Sequence, residues 1–140
     1  MTMTALPEGW TLPELTPFNR AWFTSGALAV QRCASCATPQ HPPEEICHRC
    51  GAMTFDTTTL APRGTVASYT VVHYAAHPAL ADAVPYTVVL VSLDDAPNVR
   101  VVGNLDGDAV HIGMAVVPYW EERIAEDGTP ILLPQWRPAV

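Results

Sequence analysis

Cys33-Ala-Ser-Cys36, ten residues, then Cys47-His-Arg-Cys50 with Gly51 behind it: this stretch decides the fold, and it holds every cysteine of the chain. A C-x2-C motif places two sulfurs on one tight turn, and two such turns complete a tetrahedral four-cysteine site. Gly51 suits a knuckle, because a residue without Cβ lets the backbone swing its amides toward the sulfurs. Disulfides, a redox-active C-x2-C or an iron site of rubredoxin type would also use four cysteines. Paired knuckles at this spacing favour structural zinc, with Cys33, Cys36, Cys47 and Cys50 as ligands.

Working outward, residues 28–32 read as a strand entering the first knuckle and residues 53–59 as its return strand, which makes a zinc ribbon. A ribbon buries too little apolar surface to fold alone, so the metal supplies its folding free energy, on the order of 10 kcal/mol. Arg32 and Arg49 stand beside the thiolates and are expected to offset part of their charge. His41 and His48 are near enough to be considered as ligands, but with four cysteines available both are expected to be solvated loop residues.

Before the ribbon, residues 1–15 carry Pro7, Gly9 and Pro13 without a period and read as an extended arm anchored by Trp10. Thr16-Pro17 can start a helix, threonine as N-cap and proline at the first helical position, and Gly26 ends it after residue 25. Phe18, Ala21 and Trp22 then share a face. Those aromatics pack either onto their own domain or onto a partner, and Phe18 and Trp22 are the candidate interface residues.

After Ala61-Pro62-Arg63-Gly64 the pattern turns to period two. Strands are expected over residues 65–74, 86–93, 99–105, 114–120 and 131–135, with turns at 94–98 and 106–108 and a charged excursion over 121–129. Five strands with almost no helix suggest a small, partly open barrel with its own core, an OB-fold, with an SH3-like barrel as the alternative. The fold class is thus mainly β. The expected units are an arm and helix over residues 1–27, a rubredoxin-like zinc ribbon over 28–60 and a five-stranded OB-fold barrel over 61–140. Residues 75–84, between the first two barrel strands, form an apolar loop on the side where OB-folds bind, and His77 and Leu80 are its candidate contact residues.

Composition narrows the function. The chain has 140 residues, net charge −7, seven arginines and no lysine. Bound zinc with four thiolates would bring the charge to about −9. That balance cannot line a phosphate-tracking groove, so nucleic acid is not the expected partner. The first residues have neither a basic region nor an apolar core, no apolar run reaches membrane length, and a reducing, cytoplasmic location is expected. No acid/base pair, oxyanion motif or phosphate loop converges with the five histidines, so no catalytic residue is assigned. His73 and His77 form H-x3-H, but with one at a strand end and the other before Pro78 that spacing binds nothing.

The aromatic helix ending near Gly26-Ala-Leu28, then Gln31-Arg32-Cys33, His41-Pro42-Pro43 and Cys47-x2-Cys50-Gly51, is followed by Arg63-Gly64-Thr65-Val66 and Ser68-Tyr69-Thr70-Val71-Val72. Pro85-Tyr86, Val99-Arg100, Ile112-Gly113-Met114-x-Val116 and Pro134-x-Trp136-x-Pro138 complete the series. From about residue 16 to 138 this resembles the acyl-CoA-associated zinc-ribbon and OB-fold proteins catalogued as domain of unknown function 35. The resemblance implies a non-catalytic accessory subunit of a thiolase-superfamily enzyme, a thiolase or an acyl-CoA aldolase acting on steroid or lipid side chains, meeting acyl-CoA only indirectly. The alternative it admits is a subunit of an enoyl-CoA hydratase assembly. Ala61-Pro62, where the family often has Ser-Gly, and the missing lysines leave the complex it serves open. A free-standing hydratase or thioesterase lacks its long buried helix here, and a nucleic-acid-binding zinc-ribbon OB-fold conflicts with the charge.

Overall fold

The computed structural model describes residues 5–140, so the first four residues of the expected arm lie outside it. The helix is shorter than expected: α1 spans Arg20–Thr24. The N-cap chemistry nevertheless sits at Thr16, whose Oγ1 accepts from the amides of Phe18 and Asn19 (3.2 Å each) while Asn19 Oδ1 accepts from the Thr16 amide at 2.7 Å. These reciprocal bonds satisfy the first amides, and one α-turn, closed by the Arg20 amide donating to the Thr16 carbonyl at 3.0 Å, leads into the helix. Gly26, at φ +67°, supplies the left-handed residue that stops the helix.

Strands β1 (Leu28–Cys33), β2 (Pro39–Gln40) and β3 (Phe55–Leu60) form an antiparallel sheet in the order β2-β1-β3. The barrel follows as β4 (Gly64–Val72), β5 (Tyr86–Leu93), β6 (Ala96–Leu105), β7 (Ala115–Ile124) and β8 (Pro130–Pro138), closed in the order β4-β5-β6-β8-β7. That order, with its short closure between β4 and β7, is the OB-fold. Burial along β5 alternates without a break, as period two requires: Thr87, Val89, Val91 and Leu93 point inward.

Two expectations change. The charged excursion after residue 120 begins as strand, because β7 continues to Ile124 and pairs with β8 from Glu121↔Leu133 to Ile124↔Pro130, and only residues 125–129 make the turn. Glu121 is accommodated there as a buried, fully bonded carboxylate. The barrel also has no separate core: one cluster joins Trp22, Leu28 and Val30 to Val66, Val89, Val101 and Trp136. Helix α1, ribbon and barrel therefore share buried surface. Gly103 belongs to this packing, since a Cβ there would lie 2.8 Å from Trp136 Cδ1. Among the described residues no helix is long and apolar enough to cross a membrane.

Candidate functional site

The two knuckles are built alike. In the first, the Ala37 amide donates to the Cys33 carbonyl, and in the second the Gly51 amide donates to that of Cys47, both at 2.9 Å. Each turn then needs a left-handed residue, supplied by Ala37 (φ 61°) and Gly51 (φ 79°). The amides of Cys36 and Arg49 approach the sulfurs of Cys33 and Cys47 at 3.5 and 3.4 Å. Such contacts spread thiolate charge into the backbone.

The four sulfurs lie within 4.8 Å of one another, with Cys33–Cys50 at 3.6 Å and Cys36–Cys47 at 3.7 Å. A tetrahedron with Zn–S bonds of about 2.3 Å has sulfur edges of about 3.8 Å. The donor set therefore fits structural zinc, and separations this long rule out disulfide bonds, which need about 2.05 Å. Hydrogen bonding to Thr38 holds the Cys36 thiol down at about 6. Four thiolates this close repel one another, and a dication removes that cost. With four protein ligands, such an ion has no open position for chemistry.

A second layer supports the knuckles. Gln31 and Gln40 are buried (5% and 1% exposed) and joined by Gln40 Nε2 donating to Gln31 Oε1 at 2.8 Å. Gln31 also bonds both backbone groups of Glu44, at 2.7 and 2.9 Å, and Gln40 accepts from the His48 amide at 3.1 Å and donates to the Ile46 carbonyl at 3.2 Å. Two amide side chains thus fix the loop that carries Cys47. The histidines differ from expectation in one respect: His48 is exposed, whereas His41 is packed on Trp22 and pushed down to about 4 by burial. Arg32 does not serve the thiolates, because it is bound bidentately to Asp56 (2.8 and 3.0 Å). Arg49 reaches Thr38 Oγ1 at 3.2 Å, the atom that also meets Cys36 Sγ.

The other candidate residues fall in three places. Trp22 is 4% exposed and belongs to the chain's own core, so only Phe18, at 38%, remains on the surface of that pair. His77 caps a single 3-10 turn, Pro78–Leu80, by accepting from the Ala79 amide at 3.0 Å, and its ring meets Trp10 edge-on at 5.2 Å. Leu80 lines an open groove of about 1320 Å³ between the arm, the 3-10 turn and the β7–β8 hairpin. Glu121 holds the arm over that groove: its oxygens accept from the amides of Ala5 (3.1 Å) and Leu6 (3.0 Å), from Gln135 Nε2 (3.2 Å) and from Arg123 Nη2 (2.8 Å). His73 and His111 are exposed, His73 just past the end of β4.

Comparison with known proteins agrees with this architecture. The family described as ChsH2, rubredoxin-like zinc ribbon domain, matches residues 24–56, and ChsH2, C-terminal OB-fold domain, matches residues 57–121. A protein of Thermomonospora curvata named probable enoyl-CoA hydratase alpha subunit is 41% identical over 134 residues, covering 91% of this chain. The chain spans only 40% of that relative's length. A DUF35 domain-containing scaffold protein of Methanocaldococcus jannaschii is 35% identical over 101 residues, 69% of each protein. Among solved structures, a chain of the Ltp2-ChsH2(DUF35) aldolase superposes with a TM-score of 0.75 at 41% identity, over 92% of this chain and 100% of that one.

Proposed function

Because the chain belongs to the ChsH2-type DUF35 family of zinc-ribbon and OB-fold proteins, we propose that it is a non-catalytic accessory subunit. Its partner is a thiolase-superfamily enzyme, a thiolase or an acyl-CoA aldolase acting on steroid or lipid side chains in the cytoplasm. The observation that carries this reading is the full-length likeness to a chain of the Ltp2-ChsH2(DUF35) aldolase. The chemistry of the chain supports it. Among the described residues the one cluster of three or more metal-ligating side chains is the four-cysteine set, a closed structural site. The one histidine that is not exposed, His41, packs on Trp22.

The work left to such a subunit is positional. Leu80, Ala79 and Ala83 form one wall of the groove and shape an acyl-CoA entrance without supplying a reacting group. Phe18 offers an exposed aromatic anchor for the partner. A second reading, a subunit of an enoyl-CoA hydratase assembly, is favoured by the name of the Thermomonospora relative. Affinity purification of the tagged chain from its native source, followed by mass spectrometry and mass measurement of the complex, separates the two. A stoichiometric thiolase-superfamily enzyme is expected, a hydratase subunit would favour the second reading, and recovery of the chain alone would contradict both.

A further inference from the structure

Only two residue pairs close the barrel, Gly64↔Val116 and Thr65↔Ala115. The loop before β7 adds one more: Val66 donates to the Met114 carbonyl at 2.9 Å and accepts from the Gly113 amide at 2.8 Å. Beyond Val66, β4 continues to Val72 paired with β5 alone. The register shifts at Ala67, after which Ser68↔Leu90, Tyr69↔Val89, Thr70↔Val88 and Val71↔Thr87 follow in order. Val66 turns its N–H and C=O away from β5. Alternation across the bulge turns those of Tyr69 and Val71 the same way. Among the described residues no backbone group bonds to them on that side.

This free edge has the composition of a strand meant to be covered. From Thr65 to Tyr74 it contains no Asp, Glu, Lys, Arg or Pro, and Tyr69, Val71 and Tyr74 are 42%, 38% and 80% exposed. Ile112, the residue before the Gly113 that bonds Val66, is 67% exposed and extends the apolar strip. Proteins protect lasting edges with lysine, proline or inward charges, and none occurs here past the bulge.

We propose that the edge of β4 over residues 69–72 receives a β-strand from the partner polypeptide, an uncharged segment rich in β-branched or aromatic residues. The unpaired groups of Tyr69 and Val71 supply the backbone bonds, and Tyr69, Val71 and Ile112 read the added strand's side chains. A second copy of this chain is the poorer occupant, because two chains of net charge −7 repel. The inference rests on the accessory-subunit reading and adds where the partner sits.

Amide hydrogen exchange on the complex with the co-purified enzyme, and on the isolated chain, tests it. The Tyr69 and Val71 amides should slow by roughly tenfold or more only in the complex. Val71→Pro removes an amide that faces away from β5, so this variant should keep its melting transition and lose the enzyme. If it does not fold, Tyr69→Lys replaces it, with the same expected loss. A complex in which both amides exchange as in the free chain overturns this inference and leaves the accessory reading standing. Slowing in the isolated chain as its concentration rises assigns the edge to a second copy and also overturns it. Failure to form any complex sinks both.

Discussion

The ring of His41 lies on that of Trp22, centroids 4.3 Å apart, and so ties the loop between the knuckles to the helix. Burial holds this imidazole neutral, with its pKa pushed down to about 4. Between that value and its ordinary 6.5 the unfolded chain binds a proton that the folded chain does not, so stability rises with pH across this window and is lost as pH falls through it. The loss should be on the order of 3 kcal/mol. Denaturant unfolding of wild type and His41→Phe from pH 7 to pH 4 measures it; the variant should show a flatter slope, and parallel slopes would contradict this placement.

Gln31 and Gln40 bond the loop rather than the ion, so their effect should appear as metal affinity. Gln40→Leu leaves the His48 amide and the Ile46 carbonyl without their partners. Zinc affinity should fall about 10- to 100-fold, as for other outer-shell losses. Competition with a chromophoric chelator measures this; an unchanged affinity would leave the pair a purely packing role.

The purified chain should hold about one zinc by elemental analysis, since four thiolates make one closed site. Because Leu28 and Val30 of the ribbon share a cluster with Val89 and Trp136 of the barrel, Cys36→Ser should not unfold the ribbon alone. The on-the-order-of-10 kcal/mol that a structural zinc contributes is comparable with the whole stability of a domain, about 5–15 kcal/mol. Circular dichroism and tryptophan fluorescence should therefore report one coincident, lowered transition. A barrel that melts as in wild type would show two independent units, and red, iron-loaded protein would contradict zinc.

Glu121 is the clasp of the arm. Glu121→Gln replaces one acceptor oxygen by a donor facing donors, which should weaken arm anchoring by about 2 kcal/mol, roughly thirty-fold in opening. Hydrogen exchange at residues 5 and 6 should quicken accordingly while the core amides of β5 keep their rates. Equal quickening throughout would mean that the carboxylate holds the barrel itself.

How much of this was legible in sequence follows from how local each signal is. The cysteines announce their site because ligand chemistry fixes the spacing, and β5 appears at residues 86–93 as expected because one face is fully buried. The burial of Glu121 does not show in the sequence, since a carboxylate reads as exposed until the arm and Gln135 are brought to it from distant parts of the chain. His41 and the Gln31–Gln40 pair were invisible for the same reason, their burial being made by contacts distant in sequence. Ala37 carries no glycine to mark its left-handed turn; only its position after a knuckle, matching Gly51, could have pointed to it. The helix was overextended because a threonine cap and a proline fit a one-turn cap as well as a long helix.

Steady-state kinetics of the partner enzyme on a bulky acyl-CoA, measured with wild-type chain, with Leu80→Glu and with none, decide whether the chain is an accessory subunit that shapes the entrance. The expected result is no turnover by the chain alone, a marked rise when it joins the enzyme, and a lower kcat/KM with Leu80→Glu at unchanged assembly. Robust turnover by the isolated 140-residue chain, or an enzyme indifferent to its presence, would contradict it.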